Sequence, residues 1–253
     1  MINPKELSND ELYYKDKKYM SVSRYKKLLH CELDGTNDWS TPTDSMLVGS
    51  YVDSFVEGTL NNFKENHPEI ISTRGATKGE LKKEFQMADQ ICEHITNDPI
   101  FSQFMSGEKQ VVMTGEIAGV PFKIKMDSYS KGIAINDLKV MASVTNKRGE
   151  YIDFITGWGY DIQLACYQEI VRQNTGEQLP CYICAVTKET PINSIIINIP
   201  QHILDRRLYD VQENINHFYD VFTGEVEAIG CGKCKYCISQ RRETPIISME
   251  ELV

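Results

Sequence analysis

Apolar residues recur at helical spacing through the N-terminal part of the chain. "SVSRYKKLLHC" predicts a short helix with a serine N-cap that ends near Cys31. After the polar segment "DGTNDWSTPTD", Thr43 or Asp44 is expected to cap a helix through "SMLVGSYVDSFVEGTL". A third helix is predicted within "KGELKKEFQMADQICEHITND", stopped by Pro99. The first part of the chain is therefore expected to be helical.

The hydrophobic period then changes to two, which is typical of strands. "QVVMTGEI", "VPFKIKMD" and "IAINDLKV" predict three consecutive strands. A helix over "YDIQLACYQEIVRQNTG", strands over "CYICAVT" and "NSIIINI", and a helix over 201–223 follow. We expect one α/β domain over residues 1–253, comprising an N-terminal extension (1–43), a core (44–224) and a cysteine-bearing C-terminal part (225–253).

Composition narrows the class of protein only a little. The chain has 253 residues and a formal net charge of −9, which argues against a basic nucleic-acid coat protein. It contains neither a long apolar run nor a secretory leader, so we expect no membrane partner and a cytoplasmic location. Cysteines in such a compartment stay reduced and are candidate metal ligands.

Two carboxylates and an amine lie at the inner ends of the second and third predicted strands. Alternation along "INDLKV" places Asp137 and Lys139 on one face, with Leu138 on the other. Asp127 ends the preceding strand, so antiparallel pairing brings it near Asp137. Paired carboxylates favour a hard divalent ion such as Mg²⁺ or Mn²⁺ between them. For an isolated D-x-K tripeptide, however, a solvent-facing surface ion pair is the commoner explanation.

Several motifs in order resemble the RecB-like branch of the PD-(D/E)xK nuclease superfamily. These are "GSYVDSFVE" on a helix, "KMD", "DLK", and then "QLACY" on a later helix. The resemblance implies a restriction-endonuclease-like core, a central mixed sheet flanked by helices. "YMSVSRYKKLLHCE" and "CGKCKYC" further resemble phage and prophage exodeoxyribonucleases of the RecE type.

The resemblance also implies a role for each matching residue. Asp127 and Asp137 would be metal ligands, and Lys139 would orient the attacking water. Asp53 stands where many relatives carry a metal-binding histidine, and Glu57 is an additional candidate. The backbone carbonyl of Val140 or Leu138 is expected to complete the metal shell. Gln163 and Tyr167 would position the DNA backbone or support the site. The basic residues expected along the DNA approach are Lys123, Lys125, Lys147 and Arg148.

The densest cysteine motif is C-x-x-C-x-x-C, at Cys231, Cys234 and Cys237. Similar nucleases join one N-terminal cysteine to three C-terminal ones around a 4Fe-4S cluster, which makes Cys31 the expected fourth ligand. Zinc is the alternative, although it more often takes paired C-x2-C knuckles. Either metal would fasten the two ends of the chain together.

The function implied is a metal-dependent exonuclease that digests linear duplex DNA from an end, in phage-type recombination or DNA processing. A single-strand annealing recombinase would be its protein partner, in the cytoplasm of a bacterial host if the chain is phage-encoded. Two alternatives remain at this stage. One is a non-catalytic DNA-binding or scaffold protein with a structural four-cysteine metal site, and the other is a redox protein built around the cysteines.

Overall fold

The computed structural model describes residue 7, residues 10–37 and residues 43–252. Residues 38–42 of the predicted polar linker lie outside the described residues. Among the described residues, the first helices and strand are α1 (Asp10–Lys15), β1 (Met20–Ser21), α2 (Val22–His30) and α3 (Glu32–Gly35). The Ser21 hydroxyl accepts from the backbone N–H of Arg24, and Cys31 ends α2. The predicted serine-capped helix is therefore confirmed.

The next helices cover one face of the sheet. They are α4 (Asp44–Glu57), α5 (Leu60–Asn66), a 3-10 turn (Pro68–Ile70), α6 (Lys83–Asn97) and α7 (Pro99–Phe104). Thr43 caps α4 by accepting from the backbone N–H of Met46, and Gly58 ends the helix with a φ of 78°. A left-handed residue of this kind is the usual device that stops a helix, and glycine adopts it without steric cost.

The sheet is mixed. Its strands are β2 (Glu108–Ile117), β3 (Val120–Ser130), β4 (Ala134–Met141), β5 (Cys181–Thr187) and β6 (Ser194–Asn198), in addition to β1. The order runs β1-β3-β4-β5-β6, with β2 also paired to β3. Strand β4 is parallel to β5, and the pairs β2–β3, β3–β4 and β5–β6 are antiparallel.

A hydrophobic cluster lies on each side of the sheet, and the remaining helices belong to the C-terminal half of the chain. They are α8 (Phe154–Trp158), α9 (Tyr160–Thr175), α10 (Gln201–Thr223), α11 (Lys235–Gln240) and a 3-10 turn (Met249–Leu252). Helices α2, α9 and α10 cover one face, and α4 and α6 cover the other. The predicted mixed sheet flanked by helices is confirmed. Among the described residues, no helix is long and apolar enough to cross a bilayer.

Candidate active site and cysteine site

The site forms where β3 and β4 separate. The two strands pair only from Ser128 to Ser130 on β3 and from Ala134 to Asn136 on β4. Beyond that point the Asp127 carboxylate takes the place of the missing strand partner, because its Oδ2 accepts from the backbone N–H of Leu138 at 2.9 Å. The divergence opens room for side chains between two strands that are otherwise neighbours.

The other side of β3 is distorted at the same position. Lys109 pairs with Ser128 and Val111 with Met126, but the ladder skips the residue between them on each strand. That residue on β2, Gln110, has a φ of 51°. A non-glycine residue in the left-handed region is uncommon and is found preferentially at functional sites. The skipped residue on β3 is Asp127.

Strand β4 presents Asp137 and Lys139 toward α9, as alternation predicts. The Lys139 ammonium contacts Asp137 Oδ2 and donates to the Leu138 carbonyl at 3.2 Å. Gln163 on α9 donates to Asp137 Oδ1 at 2.7 Å. Both carboxylate oxygens of Asp137 are therefore engaged by side chains that the sequence motifs single out.

A second link of the same network fixes α9 to β3. The Gln163 amide lies 3.1 Å from the Tyr167 hydroxyl, which donates to the backbone carbonyl of Lys125 at 2.8 Å. Residues four apart on a helix share a face, so both side chains reach the strands together. The pair thus connects the Asp137 carboxylate to the strand that carries Asp127.

The carboxylates are close enough to repel one another. Burial, together with the charges of Glu57 and Asp137, raises the pKa of Asp53 to about 7. Burial and the neighbouring Asp137 charge raise the pKa of Asp127 well above its usual range. Helix α4 thus brings Asp53 into the neighbourhood of acids that lie far along the chain. A bound cation would relieve this repulsion.

The surroundings favour the charged form of Lys139, whereas they disfavour the charged forms of Asp53 and Asp127. Burial acts to lower the pKa of its amine, but the charges of Asp137 and Asp127 outweigh burial and raise that pKa above its ordinary value. The side chain therefore stays an ammonium at neutral pH. It can orient a water or stabilise a phosphate, but it is not placed to accept a proton.

Two cavities meet at Asp127 and Lys125. The first, of about 490 Å³, lies along α4 and α5. The second, of about 200 Å³, lies between α1, the start of α2 and α9. Their lining includes Asp53 and Glu57 in the first, and Lys26, Gln163 and Tyr167 in the second. We call the two together the cleft.

Lys123 is a correction to the expected DNA-approach residues. Its side chain is buried, and its ammonium donates to the Asp16 carboxylate at 3.1 Å and to the backbone carbonyls of Tyr13 and Asp16. A lysine satisfied in this way joins α1 to β3 instead of contacting a ligand. Lys123 and Lys125 both line the cleft, but the Lys123 ammonium is held by these contacts with Tyr13 and Asp16. Lys147 and Arg148 are exposed on the loop after β4.

Val140 follows Lys139 on β4, and its side chain packs on the opposite face of the sheet, in the cluster with α4 and α6. The expected contribution of its carbonyl stays a prediction. Glu57 lines the cleft one helical turn from Asp53 and influences the pKa of that residue.

The structure adds residues that sequence reasoning missed. The ammonium groups of Lys26 and Lys139 lie 5.3 and 4.9 Å from the centre of the Tyr160 ring. Lys109 is a further residue of the site, because the charge of Asp127 acts on its amine. Burial lowers the pKa of that amine, and the Asp127 charge opposes the change. Tyr160 precedes Gln163 by three residues, so helical spacing alone offered a signal for it. Nothing in the sequence marked either lysine.

The four expected cysteines form one compact group. Their Sγ atoms all lie within 4.8 Å of one another, with Cys31 and Cys237 at 3.5 Å. Backbone N–H groups of Lys233 and Cys234 point at Cys231 Sγ and lower the pKa of its thiol to about 6. Because the thiolate is the metal-binding form, this arrangement fits a metal ligand.

Polar contacts fasten the C-terminal part beside α3. The two carboxylate oxygens of Glu32 bind the His217 ring at 2.7 Å and the backbone N–H of Ile229 at 2.8 Å. Glu32 directly follows Cys31 in the chain. The same short segment thus carries a cysteine of the group and the carboxylate that holds the incoming C-terminal loop.

The carboxylates are less tightly gathered than the sulfur atoms. Among the described residues, the cysteines alone form a group of three or more potential ligands whose donor atoms all lie within 4.8 Å. Asp137 is turned toward Lys139 and Gln163, and Asp127 toward the Leu138 N–H. A cation bound by all three acids therefore requires that at least one carboxylate rotate.

The comparisons with known proteins agree with this architecture. Residues 21–240 match the family model described as "PDDEXK-like domain of unknown function (DUF3799)". A crystal structure of a protein from Eubacterium rectale, described as a "Putative exonuclease", is 43% identical to this chain. The match covers 100% of this chain and 98% of the chain of that protein, with a TM-score of 0.86.

A second crystal structure, that of SSO0001, is 15% identical and covers 77% of this chain and 84% of its own. Its TM-score of 0.29 is too low to carry an argument. Among curated proteins, none matches this chain significantly. The family match and the full-length relative are sufficient, and they confirm what the motif order predicted. The chain belongs to the PD-(D/E)xK nuclease superfamily, within the family of PDDEXK-like domains that carries the DUF3799 description.

Proposed function

We propose that this protein is a Mg²⁺- or Mn²⁺-dependent deoxyribonuclease that hydrolyses phosphodiester bonds from the ends of linear duplex DNA. One observation carries the proposal. Asp127 and Asp137 flank the gap between β3 and β4, with the Lys139 ammonium on Asp137 and with Asp53 electrostatically linked to both. An all-oxygen donor set with mutual repulsion suits a hard divalent cation.

Asp53, Asp127 and Asp137 would hold the cation, with the Val140 carbonyl as an additional ligand. When bound, such an ion polarises the phosphoryl oxygen and lowers the pKa of a bound water. The rest of the chemistry depends on the side chains around it. Gln163 fixes the Asp137 carboxylate through one oxygen, and Tyr167 fixes Gln163 against β3.

Lys139 supplies positive charge at the reacting phosphate. Hydrolysis adds water across one P–O bond, and negative charge builds on the phosphoryl oxygens as the bond to the leaving oxygen breaks. An ammonium held by Asp137 stabilises that charge and orients the water by donating to it. Its raised pKa keeps this charge in place at neutral pH.

Action from DNA ends is supported by the full-length relative, which is described as a "Putative exonuclease". We also propose a role in phage-type recombination, a single-strand annealing protein as partner, and a cytoplasmic location. They rest on the resemblance of the motifs and not on the geometry of the site.

The cysteine group would hold a structural metal. Its C-x-x-C-x-x-C spacing with a distant fourth cysteine favours a 4Fe-4S cluster. The observed packing fits a single tetrahedral zinc ion, since Zn–S bonds of about 2.3 Å place sulfur atoms about 3.8 Å apart. A cubane holds each cysteine on a different iron and so spaces the sulfur atoms more widely. Absorption near roughly 400 nm, measured with iron and zinc content on anaerobically purified protein, decides between them.

The test of the activity is a time course on end-labelled linear DNA and on closed circular DNA of the same sequence, with Mg²⁺ supplied or withheld. We expect metal-dependent loss of the linear substrate, with the circle intact. Asp137→Asn should abolish it. Asp205→Asn, which neutralises an exposed carboxylate on α10, is the matched control.

Degradation of the circle would show an endonuclease and contradict the end dependence. Binding of DNA without degradation, unaffected by Asp137→Asn, would instead support the scaffold alternative. Equal activity of Asp137→Asn and wild-type protein would contradict the assignment of the site.

A further inference from the structure

The segment that follows β4 forms an internally paired loop beside the cleft, which we call the hairpin loop (residues 143–158). Its two arms join where Thr145 pairs with Tyr151 and where the Ile152 N–H donates to the Val144 carbonyl at 3.1 Å. Val144 is fully buried at the base of the first arm, and Phe154 is buried at the base of the second. The loop is therefore anchored at both ends in the main core.

The tip of the hairpin loop is held by its own polar groups. Asn146 Oδ1 accepts from the backbone N–H groups of Arg148 and Glu150, at 2.8 and 3.1 Å. The Asn146 amide donates to the Glu150 carboxylate at 2.8 Å. Asp153 is also used internally, since its carboxylate caps α8 by accepting from the Thr156 N–H at 3.0 Å. Both acids of the loop are thus bound within it.

The exposed basic and aromatic side chains of the loop, unlike its acids, are not bound within it. Within the described part of the chain, the side chains of Lys147, Arg148 and Tyr151 form no hydrogen bond or ion pair, and the Trp158 ring contacts no other ring. Tyr151 is 72% exposed and Trp158 is 65% exposed. Exposed aromatic rings beside unpaired cations are what a nucleic-acid strand binds, through bases and phosphates respectively.

Trp158 lies next to the cleft. The Lys26 ammonium, which lines the cleft with Asp127, donates to the Trp158 carbonyl at 3.0 Å. Gly159 permits this approach, since a Cβ there would lie 2.9 Å from the Lys26 side chain and the residue has a φ of 63°. At the other end, Lys147 lies six positions after Met141, the last residue of β4. The tip thus lies within about 20 Å of β4, or about six base steps.

We propose that the hairpin loop binds an unpaired segment of the DNA substrate beside the scissile phosphate, with Tyr151 and Trp158 stacking on bases and Lys147 and Arg148 contacting phosphates. This inference rests on the proposed nuclease function and names the form of DNA that the site receives. The faces of paired bases are already stacked within a duplex, so exposed rings gain most from an unpaired strand.

The test measures binding of a fluorescein-labelled dT12 oligonucleotide and of a blunt duplex of equal length, by anisotropy without divalent metal. Trp158→Ala is expected to weaken dT12 binding about 5- to 150-fold, the range for one lost stacking contact, and duplex binding less than about twofold. Trp158→Phe keeps a ring and should bind nearly as wild type. Tyr209→Ala, which removes an exposed ring from α10, is the matched control and should change neither affinity.

Salt dependence tests the phosphate contacts separately. The double variant of Lys147→Gln and Arg148→Gln should reduce the slope of log Kd against log salt for dT12 by about 1.4, or about 0.7 for each lost contact. The inference is overturned if combined removal of the Tyr151 and Trp158 rings leaves dT12 affinity unchanged while wild-type protein degrades linear DNA. If wild-type protein neither binds nor degrades DNA, the proposed function fails and the inference fails with it.

Discussion

Replacing Asp53 by asparagine should stabilise the metal-free protein at pH 8, although it removes a proposed metal ligand. Burial and the neighbouring acids raise the pKa of Asp53 from 3.8 to about 7 in the folded protein. The unfolded chain therefore binds fewer protons than the folded chain between these values, and stability falls as the pH rises through that window. Above pH 7 the folded protein carries the full cost of this charge.

The size of the effect follows from the shift. About three pKa units at about 1.4 kcal/mol each give an upper bound of about 4 kcal/mol. The Asp53 side chain is partly exposed, so solvent screening reduces this figure, and we expect about 2 kcal/mol. For a chain of this length, that corresponds to a rise in Tm of about 4 to 8 °C.

The assay is thermal unfolding of wild-type and Asp53→Asn protein at pH 5 and pH 8, without Mg²⁺ or Mn²⁺. At pH 5 the variant should already be more stable, but by only about a third of the full difference, because the loss begins near pH 3.8; at pH 8 the full difference should be present. Added Mg²⁺ should stabilise wild-type protein at pH 8 and the variant much less. Asp205→Asn controls for the loss of a carboxylate. A variant no more stable than wild type at pH 8 would refute the crowding of acids around Asp53.

Three further outcomes are expected. Gln163→Leu removes the amide that holds Asp137 and should lower kcat about 10- to 150-fold with intact folding, because a hydrogen bond to a charged group is worth about 1.5–3 kcal/mol; unchanged kcat would contradict the network. Tyr160→Leu should lower kcat for nuclease activity, whereas Tyr160→Phe should not, since the ring face is what contacts the Lys139 ammonium. Equal kcat values for the two variants would contradict this role of the ring. Cys31→Ser should reduce bound metal and lower Tm by several degrees, as measured by metal analysis and calorimetry; a fully loaded, equally stable variant would remove Cys31 from the site.

Local pattern was a good guide to the elements because helix and strand periods are set by near neighbours. The serine cap of α2 and the extent of α10 follow from spacing within a few residues. The prediction that Asp127 ends its strand was wrong, since β3 runs on to Ser130 and pairs with β4 only beyond Asp127. The same reasoning wrongly predicted Lys123 as a DNA-approach residue. Alternation gives the face of the sheet on which a side chain lies, but not the residue that it contacts on that face. The partner of Lys123, Asp16, directly follows α1, over a hundred positions earlier in the chain.

The sequence by itself determined the face shared by Asp137 and Lys139 through local spacing. It determined the fold class and the set of four cysteines through the resemblance of its ordered motifs to known nucleases. Only the tertiary structure decided how Asp53 meets the other acids, how the separation of β3 and β4 turns Asp127 toward Leu138, and how Tyr160 and Lys26 surround Lys139. These placements depend on how helices distant in the chain pack on the sheet. Packing of that kind is fixed by the whole core and leaves no local pattern in the sequence.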